Sequence, residues 1–201
     1  MSTPETPILE GQHVRLEPLR PHHLDQLERI ALDEQTWKFM VAPLLTRADL
    51  EHWAEHGWEQ ERLGKMMVWV TYAKNADGSE TLAGGTRFMD VNLKDRNVEI
   101  GNSWIIPELR GTKVNAEAKY LQLRYGFETL GLERIALKAH AANLRSQAAI
   151  KGLGAKYEGT FRRHMIMPDG SYRDSAWFSI IREEWPETKD TLERRLRAPL
   201  P

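Results

Sequence analysis

The stretch "WIIPELRGTKVNAEAKYLQLRYGFETLG", Trp104 to Gly131, decides the fold. An extended apolar run stops at Pro107, turns through Arg110, Gly111, Thr112 and Lys113, and continues as a helix. Ala116, Tyr120, Leu123, Phe127 and Leu130 recur at helical spacing in one narrow stripe. Gly131 stands where a helix C-cap belongs. A helix start exposes unpaired N–H groups and the positive end of the helix dipole. A turn that places a glycine, a hydroxyl and two cations there suits an anion such as a phosphate.

Working outward, "NVEIGNSWII" (Asn97–Ile106) precedes this turn as a strand. Strict alternation puts Val98, Ile100, Asn102, Trp104 and Ile106 on one face, and Glu99, Gly101, Ser103 and Ile105 on the other. "ERIALKAHA" (Glu133–Ala141) follows the helix as another strand, with Ile135, Leu137 and Ala139 on one face. A strand–helix–strand unit implies one parallel pair inside an otherwise antiparallel sheet. Its neighbours read differently. "HVRLEPLR", "MMVWVTYA" and "TLAGGTRFMDVN" are strands, the last weakened or bulged at Gly84-Gly85, and "NADGS" carries a hairpin turn. "KYEGTFRRHMIM" and "SYRDSAWFSII" flank the turn "PDG". Helices are predicted over "PHHLDQLERIALD", "TRADLEHWAEHGWEQER" with Thr46 as cap, "NLRSQAAIKGLGA" capped by Asn143, and the C-terminal residues 183–201. The expectation is one α/β (α+β) domain over residues 1–201, with residues 1–10 as a loose tail. Its mixed, mostly antiparallel sheet would have about seven strands and one central parallel pair, flanked by helices.

Bulk composition narrows the functional classes. The 201 residues are 41% hydrophobic and 28% charged, which is the material of a globular chain with one core. A net charge of −1 gives no field that would recruit nucleic acid or an anionic membrane. No apolar run approaches the ~18–20 residues that span a bilayer, and "MSTPETPILEG" lacks the pattern of a secretory signal. Cysteine is absent, which removes disulfides, thiolate metal ligands and a thiol nucleophile, and fits a cytoplasmic location.

Four segments together carry a resemblance: "GQHVRLEPLRPHHLD", "VEIGNSWIIPELRGTKVNAEAKY", "NLRSQAAIKGLGAKYEGTFRRH" and "DSAWFSIIREEW". Over nearly its whole length the chain resembles the GNAT superfamily of acyl-CoA-dependent N-acyltransferases, most closely the RimJ/RimL-type branch. In that family the strand-to-helix turn begins with Arg or Gln and holds the coenzyme A pyrophosphate on backbone N–H groups between small residues. Laid on this chain, the motif starts at Arg110 and runs through Gly111, Thr112 and Val114 to Asn115. Lys113 and Asn115 replace the two small residues. Either Lys113 supplies a cation where relatives supply bare backbone, or it crowds the cradle.

Acetyl transfer from a thioester to an amine needs a proton acceptor for the amine and a proton for the departing thiolate. Without cysteine, direct attack within a ternary complex is the simplest route. Glu99 is the first candidate base, since relatives often place a glutamate on this strand; an edge carboxylate paired with Arg87 or Arg96 is the structural alternative. His140, near the end of the adjacent parallel strand, is the rival base. Where many relatives carry a tyrosine that protonates the thiolate, this chain has Ile150, and the resemblance points instead to Ser146. Asn143 is read as a helix cap that also touches the pantetheine arm, and Arg145 as a solvated cation. The arm itself would add to the strand edge at Trp104, Ile105 and Ile106.

Acetyl-CoA is thus the expected cosubstrate and an amine the partner, with homodimerisation left open and neither nucleic acid nor membrane expected. The competing class is a non-catalytic acyl-CoA-binding module with a degenerate pyrophosphate loop. "HWAEH" (His52–His56) matches a zinc-protease pattern but lacks an identifiable third ligand, so no metal is expected. Trp37, Trp53 and Trp58 are read as candidates for lining an acceptor site.

Overall fold

The computed structural model describes residues 5–198. Its centre is an eight-stranded sheet. The strands are β1 (Leu9–Glu10), β2 (Val14–Pro18), β3 (Met67–Lys74), β4 (Glu80–Asn92), β5 (Asn97–Ile105), β6 (Arg134–His140), β7 (Lys156–Ile166) and β8 (Tyr172–Ile181). They lie in the order β1-β2-β3-β4-β5-β6-β8-β7. Every pairing is antiparallel except β5 with β6. Among the described residues there are six α-helices: α1 (Leu24–Ala31), α2 (Glu34–Trp37), α3 (Arg47–Arg62), α4 (Lys113–Arg124), α5 (Leu144–Lys151) and α6 (Trp185–Arg197).

The additional strand is β1, and it corrects the expected tail. Leu9 and Glu10 pair with Leu16 and Arg15, Thr6 is buried, and the Pro7 carbonyl accepts the Trp69 indole N–H. Residues 1–4 lie outside the described residues, as do the last three of the expected C-terminal helix. The reason for the ordered start is Glu117 of α4, whose carboxylate accepts the N–H groups of Gln12 and His13. Gly11 passes so close that a Cβ there would meet that carboxylate at 2.6 Å.

The sheet separates two cores. One contains Val98, Ile100, Ile135, Leu137 and the faces of α4, α5 and α6. The other contains Val68, Val70, Trp104 and the faces of α1, α2 and α3. Helix α4 is buried nearly all round rather than along one stripe, because sheet, α6 and the β1–β2 turn cover it together. It ends in a single π turn at Tyr125–Thr129, and Gly131 takes the left-handed conformation expected of a C-cap.

Strand β5 does not alternate as predicted. Gly85 pairs with Trp104 but Arg87 pairs with Gly101, so Asn102 and Ser103 together stand opposite Thr86. This is a β-bulge, and Asn102 sits at φ +47°, a conformation that asparagine tolerates better than most residues. One extra residue reverses every face beyond it. Ser103 and Ile105 therefore join the α4 side with Val98 and Ile100, whereas Asn102 and Trp104 join the Glu99 side. The Trp53 indole holds the bulge by donating to the Asn102 side-chain oxygen at 2.7 Å. A second irregularity on β4, beside Gly84, reflects close packing: a Cβ on Gly84 would overlap the Trp104 carbonyl oxygen.

Candidate active site

The two parallel strands part company just where the bulge begins. β5 and β6 pair from Asn97 with Arg134 to Ile100 with Leu137, and no further. Beyond that point one edge of β5, from Gly101 to Ile105, has no strand beside it among the described residues. β6 continues alone along β8. Residues from both strands, α4, α5 and the segment Phe39–Ala42 border a cavity of about 420 Å³ at this fork. Such a fork at the carboxyl ends of parallel strands is the usual ligand position in α/β sheets.

Glu99 lies at the fork with 3% of its surface exposed. Its Oε2 accepts from Lys138 Nζ at 2.7 Å, while its Oε1 is buried without a hydrogen-bond partner. Burial pushes its carboxyl group up from the usual range, against the pull of Lys138. Gly101 leaves the room, since a Cβ there would come within 2.8 Å of Oε1. The ion partner is neither Arg87 nor Arg96, the two named from the sequence. Arg87 is buried on the same face, stacks on Trp53 and donates to the Trp53 carbonyl, and Arg96 pairs with Glu133. Lys138 reaches Glu99 because Ala136 stands directly opposite Glu99, and Lys138 is the next residue on that face.

His140 borders the cavity, but its Nδ1 accepts the Ala142 N–H at 3.0 Å. A neutral ring so held carries its proton on Nε2, so the nitrogen left over is a donor rather than a base. Burial and nearby Arg173 lower its affinity for a second proton.

At the start of α4, the Thr112 hydroxyl caps only Val114 N–H, at 3.3 Å, so other first-turn amides keep no side-chain acceptor. Gly111 has φ +80°, with open space where a side chain would stand. Arg110 donates through Nε to the Ile105 carbonyl at 2.9 Å and through Nη2 to the Thr36 hydroxyl at 2.8 Å. It buttresses the turn as well as bordering the cavity. On α5, Asn143 caps the helix by accepting Ser146 N–H at 3.1 Å, and the Ser146 hydroxyl is free of partners among the described residues. Ile150 fills its place as a buried apolar side chain against the cavity.

Of the residues predicted from sequence, the fold brings Glu99, Trp104, Ile105, Arg110, Gly111, Asn115, His140, Asn143 and Ser146 to this one cavity. Ile106, Thr112, Lys113 and Val114 are not among its walls. The Ile106 N–H is already donated to the Ala83 carbonyl, so the free edge lies one step earlier than predicted. Lys113 stands half-buried at the helix start, outside the cavity. Trp37, Trp53 and Trp58 are also displaced from the expected role. Their indoles donate to Ala31, Asn102 and Leu19 and serve the core, while Phe39–Ala42 forms that wall instead.

Sequence reasoning missed three cations at the fork. Lys138 is one. Arg173 of β8, 6% exposed, is another. The third is Lys119 of α4, which donates to Thr86 Oγ1 at 2.7 Å, Ser103 Oγ at 2.6 Å and Gln122 Oε1 at 3.0 Å. With no carboxylate beside it, burial drops its ammonium to about 7. A lysine at helical spacing from Ala116 and Leu123, on the apolar stripe of α4, was the available signal for Lys119; Lys138 and Arg173 needed the strand register.

Comparison with known proteins gives a consistent result. A family model described as an acetyltransferase (GNAT) domain matches residues 13–156. YdaF of Bacillus subtilis, provisionally named a ribosomal N-acetyltransferase, is 27% identical over 158 residues, 65% of this chain and 84% of that protein. The crystal structure of a GCN5-related N-acetyltransferase from Brucella melitensis is 32% identical with a TM-score of 0.86, covering 98% of this chain and 88% of that one. Mycobacterium smegmatis RimJ, solved with CoA-disulfide, shares the fold at 24% identity and a TM-score of 0.77, over 94% of this chain and 91% of that one.

Proposed function

The chain belongs to the GNAT acetyltransferase family, and on that premise we propose that it transfers an acetyl group from acetyl-CoA to a primary amine, with Glu99 as general base. The observation that carries this reading is the unpartnered Oε1 of Glu99, buried at the fork beside an open strand edge. A carboxylate with one oxygen fixed by Lys138 and the other left without a partner is oriented yet able to accept a proton. Its raised proton affinity brings it closer to the amine it must deprotonate.

The residues present suit the cosubstrate. The uncapped amides at the start of α4, beside the open Gly111, offer donors to a pyrophosphate. The free edge Gly101–Ile105 offers backbone partners to a pantetheine arm. The amine nitrogen attacks the thioester carbonyl, its proton passes to Glu99, and the C–S bond breaks as the thiolate takes a proton. Ser146, with its hydroxyl free at the cavity wall, is the donor in this reading, its proton being replaced by the one that Glu99 took from the amine. His140 is left as a neighbour of the acceptor, because its ring presents a proton. The acceptor is a protein N-terminal amine or a small-molecule amine; the name of YdaF supports the former.

A second reading, acyl-CoA binding without catalysis, draws on Ile150 in the expected tyrosine position and on Arg110 turned toward Ile105 and Thr36. A thiol-release assay over a panel of amines, run beside calorimetry with acetyl-CoA, separates the two. Heat of binding together with amine-dependent thiol release supports the transferase; heat without release under any amine leaves only the binding module.

A further inference from the structure

Arg173 is a buried cation with no carboxylate in salt-bridge contact among the described residues, and it borders the cavity on the side where Glu99 stands. Its Nε donates to Ser175 Oγ at 3.1 Å and its Nη1 to the Phe39 carbonyl at 3.3 Å. Those bonds use two of five N–H groups. Among the described residues it forms no ion pair, although its charge is felt by Glu99. The neighbouring Glu99–Lys138 pair is internally neutral. Among the charges of Glu99, Lys138 and Arg173 on the acceptor side of the fork, one positive charge is therefore left over; Asp90, which also acts on Glu99, is exposed.

Arg87 is also buried without a carboxylate, but its guanidinium lies 4.1 Å over the Trp53 ring and away from the cavity. An aromatic face answers that charge. Nothing comparable answers Arg173, which instead ties the Phe39 segment to β8 and keeps donors unspent at the cavity. Desolvating an arginine without an anion is costly, and a ligand that brings the anion recovers the loss.

We propose that the acceptor carries a carboxylate a few bonds from its amine, and that Arg173 holds that carboxylate while Glu99 faces the amine. This rests on the acetyltransferase reading above and adds the acceptor class. A free amino acid and a peptide beginning with an acidic residue both present this chemistry. A polyamine, cationic along its length, meets the unpaired charge unfavourably.

The test uses thiol release with two matched acceptor pairs: alanine against alaninamide, and an Asp-first peptide against its Asn-first counterpart. The wild-type protein is expected to favour the carboxylate member of one pair by about tenfold or more in kcat/KM, as a charge-assisted pairing would give. Preference in the first pair identifies a free amino acid, and in the second an acidic N-terminus. In Arg173→Met that preference should vanish with coenzyme affinity unchanged, and in Arg173→Lys it should be partly kept, with thermal melts checking that both variants fold. Equal rates within both pairs, or a preference that survives Arg173→Met, overturn the proposal and leave the transferase standing. A fall in coenzyme affinity in Arg173→Met also overturns it, by assigning the arginine to a coenzyme phosphate. Bound acetyl-CoA with no turnover of any amine sinks the transferase reading itself, and this inference with it.

Discussion

Strand β5 has an ionisable group buried on each side of its bulge, and the two are treated differently. Toward α3, Glu99 has one oxygen on Lys138 and the other unpartnered. Toward α4, Lys119 has three hydroxyl or amide oxygens within 3.0 Å and no opposite charge. Burial drives both toward neutrality, the carboxyl upward and the ammonium downward. The difference is satisfaction. In its charged form Lys119 spends all three donors and pins Ser103, just past the bulge, to the helix. Glu99 keeps an oxygen in reserve. Two groups equally hidden from solvent can thus divide into one that holds the backbone and one that has capacity for chemistry.

Glu99 is where a substitution should change the rate most. Glu99→Gln should lower turnover by roughly 10²–10⁴-fold, the usual worth of a general base. Calorimetry should find acetyl-CoA affinity unchanged, and the acid limb of the pH–rate profile should disappear. An unaltered rate would remove Glu99 from the mechanism.

On the other side, Lys119 makes stability depend on pH. Its folded value of about 7 lies below the unfolded 10.5, so between these the unfolded chain binds more protons. Stability contributed by this site therefore rises with pH across that window and is flat below it. Between pH 7 and 9 the rise is up to about 3 kcal/mol, at roughly 1.4 kcal/mol for each pH unit. Urea unfolding at both pH values should show the rise in the wild type and lose it in Lys119→Met. Identical slopes in the two proteins would mean that Lys119 stays charged inside.

Removing the counter-ion makes the two sides more alike. Lys138→Met should push the Glu99 carboxyl further up and move the acid limb of the rate profile to higher pH, costing about tenfold at neutral pH. The rate should recover as the medium becomes alkaline; a uniform loss at every pH would assign Lys138 another task. The smallest effect is expected at Lys113, which stands outside the cavity. Lys113→Glu should weaken acetyl-CoA only about three- to fivefold, as for a screened charge near a helix start. A far larger loss would show the lysine reaching the phosphates directly.

Much of the frame was legible because it depends on local chemistry. The parallel pair followed from a strand, a turn with Pro107 and Gly111, and a helix long enough to cross over. The caps at Thr46, Thr112 and Asn143 stand where hydroxyl or amide side chains precede helical runs, and each accepts a first-turn N–H. Glu99 could be named from its strand. Its partner could not, because Lys138 becomes its neighbour only through the pairing of Glu99 with Ala136. The tryptophans misled for a related reason. Their helices cover the open side of the sheet in the family that the chain resembles, so they read as walls, but the N–H groups of Trp37, Trp53 and Trp58 found backbone or side-chain acceptors within the core.

By itself the sequence determined the elements, their crossover and the anion-suited helix start, since periodicity, capping and turn chemistry act over a few residues. Tertiary structure alone decided which way side chains point past Asn102, where the fork opens, and which cations gather there. One inserted residue in a strand reverses its faces without altering its propensity, and charges from β5, β6 and β8 meet only once their register is set.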